Sequence, residues 1–418
     1  MKLPATLRAL QYRNFQLFFS GQLISLIGTW MQNVAQAWLI YRMTGSSVLL
    51  GAIGFASQIP SFIFSPVAGI VADRYSRHRV VIATQTASML LALALALLVL
   101  GHRVKIEHIF VLAILLGVVN AFDIPARQAF MVEMVGRGDL MNAIALNSSM
   151  FNASRVVGPA IAGILVASIG EGWCFFANAV SYIAVLAGLF LMKLPPHTRE
   201  TPEGSPIGHI VEGFRFVLGN TPVHAILALL GVVSLTAMPY TVLMPIFADR
   251  ILHGGARALG TLMGATGVGA LAGALVMASR QHLKGLGVWV AISATAFGAS
   301  LIAFSFSHVY WLSVLLLVPV GFFMMIEMGS TNTLIQSMVP DRLRGRVMSV
   351  YSMMFMGMGP IGSLMAGGAA DRIGAPWAVA TGGIFCMAAA GVYSIFLPGI
   401  RAEARRLILE QQVELARD

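Results

Sequence analysis

Long apolar runs alternate with short polar breaks along the whole chain. Twelve runs stand out, at about residues 15–41, 47–72, 80–100, 107–127, 141–169, 173–193, 222–247, 256–279, 286–306, 309–335, 346–369 and 375–397. A helix that crosses a bilayer needs ~20 apolar residues, so the pattern predicts twelve spanning helices. An even number puts both termini on one side. The longest polar break runs from Pro195 to Asn220. Its first part, rich in Pro, Thr and Glu, predicts a flexible linker. Its second part spaces apolar residues at helical intervals and predicts an amphipathic helix lying on the membrane surface. The expected organisation is an N-terminal six-helix bundle (1–194), a linker (195–220), a C-terminal six-helix bundle (221–400) and a tail (401–418).

The stretch from Gly117 to Trp173 occurs twice. Adding 204 carries Gly117 to Gly321, Asp123 to Glu327 and Met134-Val135 to Met338-Val339. The same frame carries Ser148, Met150 and Phe151 to Ser352, Met354 and Phe355, and Ala162-Gly163 to Ala366-Gly367. Ile169-Gly170 becomes Ile373-Gly374 and Trp173 becomes Trp377, with no gap anywhere. This is an internal repeat of about half the chain. In an apolar protein, such symmetry marks a transporter built from two halves with its site between them.

Composition agrees. The 418 residues are 57% hydrophobic and 11% charged, with mean hydropathy +0.81; soluble domains carry roughly 25% charged residues. The net charge of +10 is a topology signal here, not a nucleic-acid footprint. Of the 27 Lys and Arg, twenty fall on one side of the predicted helices, six on the other, and Arg155 inside a helix. The richer side is expected to be cytoplasmic, and it holds both termini. The 43 Gly suit helices that pack closely in lipid. Cys174 and Cys386 show no paired spacing, and the nine His fall at helix ends or in loops. Neither a disulfide nor a metal site is expected. Lys2, Arg8 and Arg13 precede the first apolar run without a cleavage pattern, which predicts a first spanning helix, not a signal peptide. No phosphate-cradling glycine loop is present, so direct drive by ATP and a bound cofactor are not expected. No nucleophile–base pair points to an enzyme.

After the second run comes Gly69-Ile-Val-Ala-Asp73-Arg74-Tyr-Ser-Arg77-His-Arg79. Glycine permits a tight helix end, an aspartate caps a facing helix N-terminus, and the arginines form breakable charge pairs. The stretch resembles the G-x-x-x-D-R-x-x-R-R gate loop of the major facilitator superfamily. The repeat frame keeps the glycine as Gly273 but puts Met277 where Asp73 stands, so the motif has decayed in the second half. A similar run at Ala366 to Arg372 falls at the other end of its helix. The fifth run carries Gly158-Pro159-Ala-Ile-Ala162-Gly163. It resembles the G-P-x-x-G-G motif of the superfamily's exporters, with Ala162 replacing one glycine; small-residue packing is the plainer reading. Leu10 to Ser47, together with Phe122 to Phe130, is similar to the branch that contains the enterobactin and macrolide exporters. The resemblance implies two pseudo-symmetric six-helix bundles rocking about a midplane site, outward transport, and a proton gradient as the energy source.

Charges inside a membrane are costly and point to function. Asp123 and Glu327 are the two acids within apolar runs, and both are expected near the cytoplasmic ends of their helices. Arg127 lies one turn from Asp123, with Arg77 expected nearby. Structural salt bridges and proton carriage both remain open for these groups. Arg155 should lie near mid-membrane, and its repeat partner is Gly359. Substrate binding and a polar network within the bundle are equal alternatives for it. Gln22, Asn33, Gln36 and Asn152 are neutral candidates for the same site, while Trp30 is read as an interface anchor instead. The methionines of Ser352 to Met358 suit adaptable apolar contacts. The reading is a monomeric, proton-driven exporter of an amphipathic and anionic small molecule, a siderophore or a drug, embedded in lipid of the inner membrane. The alternatives are a lysophospholipid transporter and a non-transporting receptor.

Overall fold

The computed structural model describes residues 5–194, 206–280 and 285–415. The linker residues 195–205 and the tail residues 416–418 lie outside the described residues, as do the side-chain surroundings of Gly69 and Asp73. All regular structure among the described residues is helical. A 3-10 turn at Ala5–Gln11 leads into α1 (Arg13–Thr44), α2 (Ser47–Arg74), α3 (Arg77–Leu100), α4 (Ile106–Val135), α5 (Leu140–Ile169) and α6 (Glu171–Phe190). The short helix α7 (Pro206–Gly219) follows. Next is α8 (Thr221–Ile251), interrupted by π-helical turns at Val233–Ala237 and Phe247–Ile251. The chain ends with α9 (Gly255–Ser279), α10 (Leu286–Ser305), α11 (Tyr310–Met338), α12 (Asp341–Ile373) and α13 (Ala375–Leu415).

Among the described residues eleven helices, α2–α6 and α8–α13, are long and apolar enough to cross a membrane. Helix α1 has 32 residues but carries Gln16, Gln22, Gln32, Asn33 and Gln36, which dilute its apolar character. Large apolar side chains such as Ile63, Leu97, Leu275 and Ile395 are more than half exposed, as lipid-facing positions require. Several helices outrun their apolar stretches. Helix α4 continues to Val135 instead of ending near 127, so Asp123 lies well inside the helix and not at its end. Helix α13 continues past Pro398 to Leu415, where a tail was expected.

The repeat is visible in the helix ends. Helices α4 and α11 begin at positions related by the frame of 204, as do α6 and α13. Helices α5 and α12 both stop at a glycine with positive φ, +90° at Gly170 and +83° at Gly374. A side chain there would meet the left-handed penalty, so the same glycine turn ends the same helix in both halves. Close helix approach is repeated too. A β-carbon on Gly117 would lie 2.6 Å from the Ser57 carbonyl oxygen, and one on Gly321 would collide with the Thr266 carbonyl.

The chain divides into two compact units: Met1–Pro202 with Pro245–Gly264, and Glu203–Met244 with Ala265–Asp418. In the first, α1 packs on α5 and α6, α2 on α4, and α3 on α4 and α6. Phe15, Phe18, Phe130, Val185 and Leu189 form a buried cluster at the end where α1 begins. The first turn is strapped to α5 there: the Ala9 N–H donates to Asn142 Oδ1 (2.7 Å) and the Tyr12 hydroxyl to Asp139 Oδ2 (2.8 Å). In the second unit, α10 packs on α11 and α13, and α12 packs on α7. Helix α7 is amphipathic, with Val217 buried and Val211 and Leu218 exposed. Its Glu212 pairs with Arg346 of α12.

Candidate functional site

Asp123 is 4% exposed on α4. Its Oδ1 accepts from Thr84 Oγ1 and Gln85 Nε2 of α3, both at 2.8 Å, and Arg127 Nε lies 3.2 Å from its Oδ2. Both oxygens are therefore occupied and the charge is neutralised within one turn of the same helix. The Asp123–Arg127 pair expected from the spacing forms. The contacts from Thr84 and Gln85 went unpredicted, because they come from a different helix.

Glu327, its repeat partner on α11, is fully buried. Thr331 Oγ1 donates to its Oε1 at 3.2 Å, while Oε2 has no partner. Among the described residues no cation pairs with it. The repeat frame says what has changed. Arg127 corresponds to Thr331, Thr84 to Val288 and Gln85 to Trp289. The second half has kept the acid and lost the cation and both donors on the neighbouring helix.

The gate-loop residues sit where α2 turns into α3. Arg74 and Arg79 are exposed. Arg77 does not reach toward Asp123; its Nη1 lies 3.2 Å from Glu133 Oε1 and 3.4 Å from the Ala129 carbonyl of α4. Glu133 was missed in the sequence because it falls past the apolar run. At the opposite end of the same unit, Arg42 makes a two-point pair with Glu171, at 2.7 Å and 3.1 Å. The Tyr41 hydroxyl donates to Asp249 Oδ2 (2.8 Å), and Arg250 Nη2 donates to the Gly45 carbonyl (2.9 Å). The π-helical turn Phe247–Ile251 presents Asp249 and Arg250 to the α1–α2 turn together.

Arg155 stands midway along α5, and its guanidinium carbon is 5.7 Å from the Trp30 ring centroid. Trp30 meets Phe151 edge-on at 5.5 Å and 70°. Gly158 lets α1 approach, and Gly163 lies against Gly260 and Ala256. Pro159 and Ala162 are buried. The other candidates differ in their surroundings. Gln22 is buried with Oε1 unpartnered, Asn152 is buried and donates to the Ser148 carbonyl, Asn33 is exposed, and Gln36 is half-buried. Gln32 instead accepts from Asn178 Nδ2 at 2.7 Å. No group of three or more metal-ligating side chains occurs among the described residues.

Helical structure throughout the described residues, eleven apolar helices among them, a structural repeat and a buried acid in each half point to a membrane transporter. It belongs to the major-facilitator family described as transmembrane secretion effectors, whose pattern it matches over residues 5–416. It is a multi-pass membrane transporter and not an enzyme. It is 27% identical over 364 residues to the staphyloferrin A transporter of Staphylococcus aureus, covering 85% of this chain and 89% of that one. It is 28% identical to the multidrug efflux pump Tap of Mycolicibacterium fortuitum, with 88% and 91% covered. The enterobactin exporter EntS of Citrobacter koseri is 27% identical, with 85% and 84% covered. Among solved structures, a bacterial homologue of the iron transporter ferroportin superposes with TM-score 0.70 at 14% identity, covering 94% of this chain and 98% of that one. A bacterial homologue of the lysosomal transporter Spinster gives 0.64 at 15% identity, with 95% and 97% covered. Both likenesses show the fold.

Proposed function

We propose that the protein is a proton-driven exporter of amphipathic small molecules, siderophores or drugs, across the inner membrane. In this reading twelve helices span the membrane as two six-helix bundles, with both termini cytoplasmic. The relatives named above, which handle siderophores and drugs, support the cargo class. Gly69, Asp73, Arg74, Arg77 and Arg79 serve as the cytoplasmic gate. Arg155 serves the cargo, with Gln22, Asn33 and Gln36 on α1 and Asn152 on α5 as neutral candidates for the same role.

The contrast between Asp123 and Glu327 carries the coupling. An ionised carboxylate buried without a partner costs several kcal/mol. Asp123 avoids that cost through Arg127, Thr84 and Gln85. Glu327 has only Thr331, and avoids it by holding a proton while enclosed. Hydration of the pocket during the transport cycle releases that proton. The charge state of Glu327 thus alternates with access, whereas Asp123 stays a charge-paired strut between α3 and α4.

The test uses the full chain in vesicles under an imposed pH gradient. Glu327→Gln should lose gradient-driven transport and retain cargo exchange without a gradient. Asp123→Asn should keep its gradient response in the folded fraction. Full gradient-driven transport by Glu327→Gln would remove Glu327 as the proton carrier.

A further inference from the structure

The short helix α7 and the start of α12 enclose a pocket of about 620 Å³, lined by Gly208, Val211, Glu212, Arg215 and Phe216 of α7 and by Leu343 of α12. The α7 residues recur at intervals of three and four, so they share one face of that helix. The adjoining face is fixed to α12. A β-carbon on Gly213 would lie 2.6 Å from the Arg346 carbonyl oxygen, Val217 is buried, and Glu212 pairs with Arg346. Backbone packing and a charge pair therefore set the shape of the pocket.

Its chemistry follows from how the charges divide. Glu212 stands three residues before Arg215, a spacing at which a helix can pair them. The carboxylate turns to Arg346 instead, and Arg215 is exposed with no partner among the described residues. The first turn of α12 reads Asp341-Arg-Leu-Arg-Gly-Arg346, which adds net positive charge beside it. Next to Arg215 the pocket is apolar, through Val211, Phe216 and Leu343. Val211 is 53% exposed, and Leu218, one turn beyond Arg215, is 67% exposed. A cation flanked by exposed apolar side chains on one short helix suits the boundary between headgroups and acyl chains.

The place of the pocket in the fold agrees. Helix α7 stops at Gly219, and the apolar segment Thr221–Ile251 starts two residues later. Leu343 is the first residue of the apolar segment Leu343–Ile373. Two membrane-length segments thus begin at the edge of the pocket.

We infer that this pocket binds an anionic phospholipid, its phosphate on Arg215 and the upper part of its acyl chains against Val211, Phe216 and Leu343. Guanidinium grips phosphate oxygens through paired hydrogen bonds. A zwitterionic lipid offers the same phosphate but brings its own cation into a basic site, so the pocket prefers a lipid with net negative charge. The inference concerns neither cargo, direction nor coupling, and stands apart from the export reading.

The experiment labels the full chain with bimane at Leu218→Cys and places it in phosphatidylcholine nanodiscs. Cys174 and Cys386 are buried and stay unlabelled. Lipids with a nitroxide near the top of the acyl chain quench the label on contact. Spin-labelled phosphatidylglycerol should reach half-maximal quenching at about one fifth of the mole fraction that spin-labelled phosphatidylcholine needs, as one basic side chain at a membrane surface implies. A label at Ile63→Cys, exposed on α2, reports general enrichment around the protein and should show a smaller preference. Arg215→Gln should bring the two lipids to parity at Leu218, and Arg215→Lys should retain most of the preference. A preference at Leu218 no larger than at Ile63 overturns the inference, as does a preference that survives Arg215→Gln. Replacement of chloride by inorganic phosphate at equal ionic strength should leave the preference in place; its loss would make the occupant a soluble anion and overturn the lipid assignment.

Discussion

Asp123 and Glu327 should respond unequally to replacement of the carboxylate by an amide, and the difference can be worked from their contacts. In Asp123→Asn the amide oxygen still accepts from Thr84 or Gln85, but Arg127 loses the carboxylate at 3.2 Å. Hydrogen bonds to charged groups contribute about 1.5–3 kcal/mol each, and stranding the partner adds to the loss. The Arg127 side chain is 22% exposed and recovers part of that from water, which places the net cost at about 2 kcal/mol, toward the low end of that range. For a cooperative unit of some 200 residues, this lowers the melting midpoint by about 4–8 °C. Glu327→Gln removes no ion pair, and the amide can still accept from Thr331, so the midpoint should move by less than about 2 °C. A thiol-reactive dye supplies the assay, because Cys174 and Cys386 are both free and buried and become reactive only on unfolding. A drop for Glu327→Gln as large as that for Asp123→Asn would refute the division of labour between strut and proton carrier. An unchanged midpoint for Asp123→Asn would refute it equally.

Two further outcomes test the packing around the first unit. A β-carbon on Gly260 would lie 2.5 Å from the Pro159 carbonyl oxygen, whereas one on Gly264 meets only the Val156 carbonyl at 3.7 Å. Gly260→Ala should therefore cost about 1–3 kcal/mol, while Gly264→Ala should be neutral or stabilising by up to ~1 kcal/mol through helix propensity; equal melting shifts would contradict this. Tyr41→Phe keeps the ring beside Arg250 and removes only the hydroxyl that donates to Asp249. A loss of about 1.5–3 kcal/mol is expected, and an unchanged dye-monitored midpoint would show that the bond contributes nothing.

The spanning pattern was legible because a bilayer imposes a length and an apolar composition that few other structures share. What the pattern missed lies beyond the apolar runs. Arg127 and Glu133 read as the start of a polar break, yet α4 continues through them to Val135. A helix leaving the apolar zone goes on satisfying its own backbone, and Glu133 finds Arg77 across the gap. Helix α13 runs on past its apolar stretch in the same way. Within the apolar runs the acids were easy to see, since charge there is rare, but their partners were not. Thr84 and Gln85 are 39 and 38 residues from Asp123, and only the packing of α3 on α4 joins them. Phe151 was visible as a member of the repeat, but its contact with Trp30 was not, because that contact joins two helices far apart in the chain.

The repeat resolves part of what single residues leave open. Positions that both halves retain belong to what both halves must do. Gly117 and Gly321 admit a neighbouring carbonyl, and Gly170 and Gly374 end a helix with positive φ. Each of these is a scaffold requirement with a local steric reason. Positions that differ between the halves have no such shared reason. Arg127 against Thr331 changes whether a buried acid is neutralised. Arg155 against Gly359, and Trp30 against Ser234, change whether a cation stands beside an indole in mid-helix. Asp73 against Met277 replaces a carboxylate with a thioether, which accepts from Ser330 at 3.5 Å. Two halves free to differ can divide one task between them. The first half holds Arg127 beside its buried acid, and the second holds an acid that no cation pairs with among the described residues. A symmetric chain would place the same charge state at both acids and would have no reason to favour either as the group that exchanges protons. The break in symmetry at Arg127 and Thr331 supplies that reason.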